Sequence, residues 1–377
     1  MRLFDPVLID DPYPFYTKWR DETPIWWDED SRGWVLTRHE DVRAVLKNSA
    51  EYSSRAMGQE RPLPLLSDDA PRHTQLRRIV DKAFTARTLR NMEADVARIA
   101  TQLVQGIEPG TPVDIVQRLT QPLPVAVIAQ MMGIPVERAD DFKRWSDALT
   151  GTVGNATAES RGRDVSAMAA YFHSLIQVKR DRPEDDLVSA VVNAEVDGKH
   201  LSDQDIVGFN MLLLIAGNET TTNLLTNLLN ILVDRPQDLA QLVSDTRLID
   251  AAVEETLRFD SPVQLLRRLV LVPATYHGHS VAAGDVVHVL TGAANRDERV
   301  YTNADKFELD RPRINHHSFG FGVHFCIGAP LARVEARFAM QALFKRFSRL
   351  ERAPGSNERT ASHMLRGFHH LWLQFDR

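Results

Sequence analysis

The stretch from Ser202 to Val233, SDQDIVGFNMLLLIAGNETTTNLLTNLLNILV, sets the strongest limit on what this chain can fold into. It opens with a serine suited to cap a helix and with acids in the first turn, and Pro236 bars its continuation. About thirty helical residues span roughly 45 Å, enough to cross the whole molecule. Apolar residues fall on almost every side, so the spacing predicts a central, buried helix. Its middle breaks the rule. Gly217, Asn218, Glu219 and three threonines are costly in a helix interior, and a buried carboxylate without a partner is costlier still. Either they form a kink with satisfied polar side chains, or they form a site.

Around that helix the chain reads mostly as further helices. Helical periods with turn punctuation occur in RHEDVRAVLKN, TLRNMEADVARIATQLVQGI, SAMAAYFHSLIQVKRD and RLIDAAVEETLRF. Strand-like patches are few: RGWVLTR near the start, then LRRLVLV, YHGHSVAAGDVVHVL and HHLWLQFDR. Strands and helices do not alternate regularly, which argues against a doubly wound parallel sheet. No repeat, low-complexity tract or linker divides the chain, so the expectation is one mainly helical domain over residues 1–377 with a minor β region.

Composition excludes several functions. With 45 basic and 51 acidic residues the formal charge is −6, the wrong sign for a general nucleic-acid binder. A single cysteine cannot form an internal disulfide, so the fold does not rely on an oxidising compartment. The start, MRLFDPVLIDDPYPFY, lacks the basic and apolar runs of a signal peptide, and the richest apolar run, Met211 to Gly217, is far shorter than a membrane span. A cytoplasmic protein without membrane association is expected.

The one cysteine, Cys326, sits in HHSFGFGVHFCIGAPLAR, residues 316–333. Gly320 and Gly322 suit a tight, bulged strand end, Gly328 frees the chain after the cysteine, and Pro330 fits the first turn of the helix that follows. A cysteine feeding a helix N-terminus is set to favour thiolate over thiol. As a nucleophile it could pair with His324, but two residues apart in an extended segment the side chains need not touch. A zinc site would need ligands that are not nearby. A single axial thiolate, as holds haem iron in oxygen-activating enzymes, remains.

The order Phe-Gly-x-Gly-x-His-x-Cys-x-Gly-x-x-Leu-Ala-Arg, Phe319 to Arg333, resembles the haem-binding signature of the cytochrome P450 superfamily and is complete at its defined positions. Other stretches agree in order. AGNET, Ala216 to Thr220, is similar to the oxygen-activation motif of the family's long central helix. ETLR supplies Glu255 and Arg258, like the family's Glu-x-x-Arg pair, and FELDR ends in Arg311, like the third member of that buried charge network. DAPRHTQLRR matches the segment that reaches a haem propionate, and ANRD, Ala294 to Asp297, is a familiar bacterial-type sequence. The resemblance covers essentially the whole chain and implies a triangular, mainly helical P450 fold.

The resemblance also implies roles. Cys326 would be the proximal ligand of the iron of haem b (iron protoporphyrin IX). Glu219 and Thr220 would deliver protons on the distal side, with Gly217 letting the helix open there and Ala216 beside the cofactor. His73, Arg77, Arg268 and His324 would face the propionates, with Arg267 as the rival of Arg268; Phe319, Gly320 and Gly328 would shape the cysteine loop. Glu255, Arg258 and Arg311 would be structural. Met57, Leu65, Leu212, Leu213, Val263 and Leu266 would line a pocket for a medium-sized, mostly apolar substrate, with Arg55, Arg61 or Gln264 as a polar anchor and the turn at Met364 and Leu365 as a further wall. Such a protein would be a monooxygenase using O2, fed by a separate ferredoxin or flavodoxin-type donor with its NAD(P)H reductase. The basic run Arg72, Arg77, Arg78, Lys82, Arg87 and Arg90 would border the donor's docking face. Peroxide-driven oxidation, oxidative coupling or a haem-binding sensor without turnover are the alternatives.

Overall fold

Ser202 does cap the long helix. Its hydroxyl accepts from the amide of Asp205 at 3.2 Å, and the helix runs unbroken over Asp203–Val233. This computed structural model describes residues 2–56, 63–84, 86–150, 157–196, 199–312 and 314–377. Leu214, Leu224, Leu228 and Leu232 of the helix are fully buried or nearly so, as are the polar Asn210, Asn223, Thr226 and Asn227. Burial on every side follows from its neighbours: helices Pro122–Met131, Ala139–Thr150, Ala158–Asp181, Ile249–Phe259 and Ala329–Arg346 all pack against it. The chain is therefore mainly α, wrapped around one central rod.

The minor β region lies to one side. Its largest sheet, among the described residues, has the order Ile25–Asp28, Gly33–Leu36, Val286–Val289, Leu266–Val270 and Tyr52–Ser53. Only the pairing of Val286–Val289 with Gly33–Leu36 is parallel; the others are antiparallel. Arg268 opposes Val287 and Arg267 opposes His288, so alternation along the strand sends the two arginines to opposite faces. A smaller sheet joins Arg349–Arg352, Trp372–Asp376 and Val113–Asp114. Of the strands read from the sequence, the segment YHGHSVAAGDVVHVL splits into two, His279–Val281 and Val286–Val289, because Gly284 at φ +93° turns the chain between them. Among the described residues no helix is long and apolar enough to cross a membrane.

Candidate active site

The cysteine loop closes on itself. The amide of Cys326 donates to the carbonyl of Phe319 at 2.9 Å, and Gly320 donates to His317 at 2.8 Å. Gly320 and Gly322 adopt φ of +70° and +73°, which other residues resist. At Gly322 a side chain is also excluded by contact, since a Cβ would lie 2.7 Å from the carbonyl oxygen of Leu46. Arg77 donates to the carbonyl of Phe325 at 2.7 Å, and the Arg333 guanidinium lies 4.6 Å from the Phe319 ring while pairing with Glu254. Pro330 then stands in the first turn of helix Ala329–Arg346.

The electrostatics of the sulfur differ from the expectation. Burial pushes the Cys326 thiol up, and the amides of Gly328 and Ala329 with the charges of Arg77 and Arg333 only partly offset it. A helix N-terminus is worth a fraction of what desolvation takes from a thiolate. The chain alone thus holds a thiol; a cation placed at the sulfur would reverse the balance, since a coordinating thiol deprotonates outright.

Cys326 opens into a cavity of about 1510 Å³ counted to the solvent at its mouth. The central helix supplies one wall through Ala216, Gly217, Thr220 and Thr221. The Thr220 hydroxyl donates to the Ala216 carbonyl at 2.7 Å. Gly217 packs closely, since a Cβ there would meet the tip of the Ile128 side chain at 2.7 Å and make it shift. Asn218 turns away and donates to the hydroxyl of Ser146, while Thr222 donates to the Thr120 carbonyl at 3.0 Å. These bonds satisfy much of the polar run without a broken helix. Glu219 is different: burial alone raises its carboxyl to about 7, and it does not line the cavity.

A second wall carries positive and donor groups. The rings of His73 and His324 lie 4.0 Å apart, and both line the cavity with Arg77 and Arg268. His73 is buried with its Nε2 unpartnered. Burial lowers Arg268 to about 10, and the one acid acting on it, Asp69, already holds Ser54 and Arg55. Burial drives His324 down to about 3. A buried arginine with no carboxylate of its own needs an anion from elsewhere. This donor set would fit haem, with Cys326 to hold the iron and Arg268, His73, Arg77 and His324 to face its propionates. Arg267, by contrast, faces away from the cavity and lies 5.8 Å from the Phe4 ring.

Behind the loop, Glu255 is held by Arg258 at 2.6 and 2.8 Å and by Arg311 at 3.0 Å. The two arginines extend the network to the carbonyls of Asn295, Thr302, Ala304 and Lys306. All three side chains are almost fully buried, so removing one partner would strand charge at a cost of about 3–5 kcal/mol.

Of the residues expected around substrate, Leu65, Leu212, Leu213, Val263 and Leu266 line the cavity, and Met57 and Arg61 lie outside the described residues. Gln264 and Leu365 line a different, smaller pocket, and Met364 lines neither. The reason is local: the Gln264 Nε2 donates to the Ser261 carbonyl and the Tyr13 hydroxyl, and Leu365 bridges to Val263. Arg55 points to solvent and pairs with Asp69. The basic run is partly neutralised, with Arg72 on Asp68 and Asp205 and Arg77 on Asp81; the side chains of Lys82 and Arg87 lie outside the described residues. Phe84, Ile128 and Glu335 also line the cavity and were not foreseen. Each comes from a different helix or its end, so no spacing within one segment could have joined them.

The family model for cytochrome P450 matches residues 16–368. The polyketide biosynthesis cytochrome P450 PksS of Bacillus subtilis (strain 168) is 36% identical over 364 residues, covering 91% of this chain and 90% of that protein. CYP109E1 from Bacillus megaterium, solved in complex with corticosterone, superposes with a TM-score of 0.91 at 35% identity, covering 98% of this chain and 100% of that one. CYP109Q5 from Chondromyces apiculatus gives a TM-score of 0.92 at 33% identity, covering 100% and 98%.

Proposed function

The chain belongs to the cytochrome P450 family and is a monooxygenase by that membership; on this premise we propose that it is a bacterial-type haem-thiolate enzyme that inserts one oxygen atom of O2 into a medium-sized, mostly apolar substrate. The observation that carries the reading is one cavity with the only cysteine on one wall, Thr220 on another, and on a third Arg268, which among the described residues has no carboxylate partner, and His73 with its Nε2 unpartnered. In this reading the chain is a single haem b domain of the cytoplasm. Haem bound through a thiolate supplies activation of dioxygen and cleavage of its O–O bond.

The residues divide the remaining work. Cys326 would hold the iron, and the loop bond from its amide to Phe319 fixes the backbone that carries the sulfur. His73, Arg77, Arg268 and His324 bind the propionates, exchanging a costly unpaired burial for charge-assisted hydrogen bonds. Thr220 Oγ1 holds a proton at the cavity wall and can release its bond to Ala216 to present it inward. Glu219, near 7, holds a second proton at the edge of the helix face that lines the cavity. Leu65, Leu212, Leu213, Val263 and Leu266 exclude water and favour apolar substrates. The steroid held by CYP109E1 supports a rigid polycyclic substrate as the first class to try.

Electrons would come from a ferredoxin or flavodoxin with an NAD(P)H reductase, docking where Arg77 and the cysteine loop meet the surface. The test compares product formation from a panel of steroids and other apolar compounds with a ferredoxin system and with peroxide alone. Turnover with the ferredoxin system and little with peroxide is expected. Efficient turnover with peroxide alone, or none with any electron donor, would contradict this reading.

A further inference from the structure

A second opening lies away from the Cys326 cavity and shares no lining residue with it. This cleft, about 1680 Å³ counted to the solvent at its mouth, is walled by helix Tyr13–Glu22, the ends of the central helix and of helix Ile249–Phe259, and the segment 296–305. Its floor is cationic. Arg296, Arg359 and Arg366 surround a single buried carboxylate, Asp260. Arg366 binds that carboxylate at 2.6 Å and directs its other nitrogens to the carbonyls of Ile9 and Asp10. The Tyr13 hydroxyl also donates to Asp260, at 2.8 Å, and Arg359 reaches it only at 3.7 Å.

Arg296 is left over. Its guanidinium lies between the rings of Tyr13 and Phe259, 3.4 and 3.6 Å from their centres, and its Nε donates to the Phe259 carbonyl at 2.6 Å. Its two terminal nitrogens have no acceptor among the described residues, and the side chain lines the cleft. Burial pulls the guanidinium below the usual arginine range, and Tyr13 and Asp260 offset that only in part. Held on both faces and at Nε, it keeps one orientation, and the remaining N–H groups suit the oxygens of a carboxylate. The mouth has the opposite sign. Asp10, Asp11 and Asp305 line it in no ion pair among the described residues, whereas Glu298 pairs with Arg20 and Asp21 with Arg299. Such a mouth repels a polyanion and attracts a cationic group.

We propose that this cleft is a binding site for a small molecule with one carboxylate and a neutral or cationic remainder, the carboxylate seated on Arg296 and Arg359 and the remainder facing the acidic mouth. The carboxylate gives both arginines charge-assisted hydrogen bonds in place of burial without a close anion. The proposal does not depend on the monooxygenase reading, because the cleft and the Cys326 cavity have separate walls.

The test uses haem-loaded protein and three probes, acetate, γ-aminobutyrate and citrate, at constant ionic strength with chloride as the control anion. Saturation-transfer nuclear magnetic resonance reads binding directly, and the melting temperature reads it through stabilisation. Acetate and γ-aminobutyrate should bind saturably, γ-aminobutyrate with half-saturation at about 1 mM or below and acetate more weakly. Citrate should compete with neither. Arg296→Gln and, separately, Arg359→Gln should weaken γ-aminobutyrate about tenfold. Asp305→Asn, on the exposed rim, keeps the test open if either arginine proves necessary for folding. It should weaken γ-aminobutyrate and leave acetate unchanged. The proposal is overturned if neither monocarboxylate binds wild type saturably, if citrate binds as well as they do, or if folded arginine variants bind like wild type. The reduced carbon monoxide spectrum reads the other cavity, so a failure here leaves the monooxygenase reading standing.

Discussion

Thr220 bonds back to the carbonyl four residues earlier, a habit that threonine has in any helix. What sets it apart is its place on the wall of a cavity whose other groups include the Cys326 sulfur and the buried Arg268 guanidinium. In the proposed reading its hydroxyl is lent between the helix and the cavity. Thr220→Ala should fold normally, because its bond satisfies a carbonyl already served by the helix. It should lower the product-forming rate by about 10²-fold while reductant consumption continues, checked by comparing product with NAD(P)H oxidised. Unimpaired hydroxylation would remove Thr220 from the proton path. Glu335 shows the limit of the residue scale in the sequence. It lies nine positions after Cys326 in an ordinary helical run, and only burial and a missing cation make it unusual.

At the scale of elements, the cysteine loop depends on what stands behind it. His317 stacks on His39 with ring centres 4.3 Å apart, and both His317 ring nitrogens are buried with no hydrogen-bond partner among the described residues. Burial, then His39, His316 and Arg43, lower His317 to about 3; burial likewise lowers His39. A histidine neutral in the fold and near 6.5 when unfolded contributes stability above pH 6.5 that is lost as pH falls toward its folded value, on the order of 3–5 kcal/mol here. His317→Leu should therefore move the acid unfolding midpoint to lower pH, followed by circular dichroism from pH 7 to 3. An unchanged midpoint would mean that other groups govern acid stability. The central helix and the cysteine loop were legible because each is written in one contiguous segment: a cap, a long apolar run, glycines and a proline at fixed places. The order of the sheet, the helix Pro122–Met131 with Ile128 against Gly217, and the exclusion of Gln264 from the cavity were not, because each depends on segments far apart in the sequence. That burial outweighs the helix N-terminus at the Cys326 sulfur when no cation is beside it was not legible either, since desolvation is a property of the assembled site.

For the whole molecule, a central rod sheathed by helices, with a small sheet to one side, delivers Cys326, Thr220, Arg268 and His73 to one cavity from four separate elements. The central claim is that this cavity holds haem through Cys326. The most direct measurement is the absorption spectrum of the dithionite-reduced protein under carbon monoxide, for wild type and for Cys326→Ser. The account predicts a strongly red-shifted Soret band in wild type and its loss in the variant, with Arg268 and His73 stabilised by bound haem in both. A wild-type protein that takes up no haem, or a red-shifted band that survives the substitution, would contradict it.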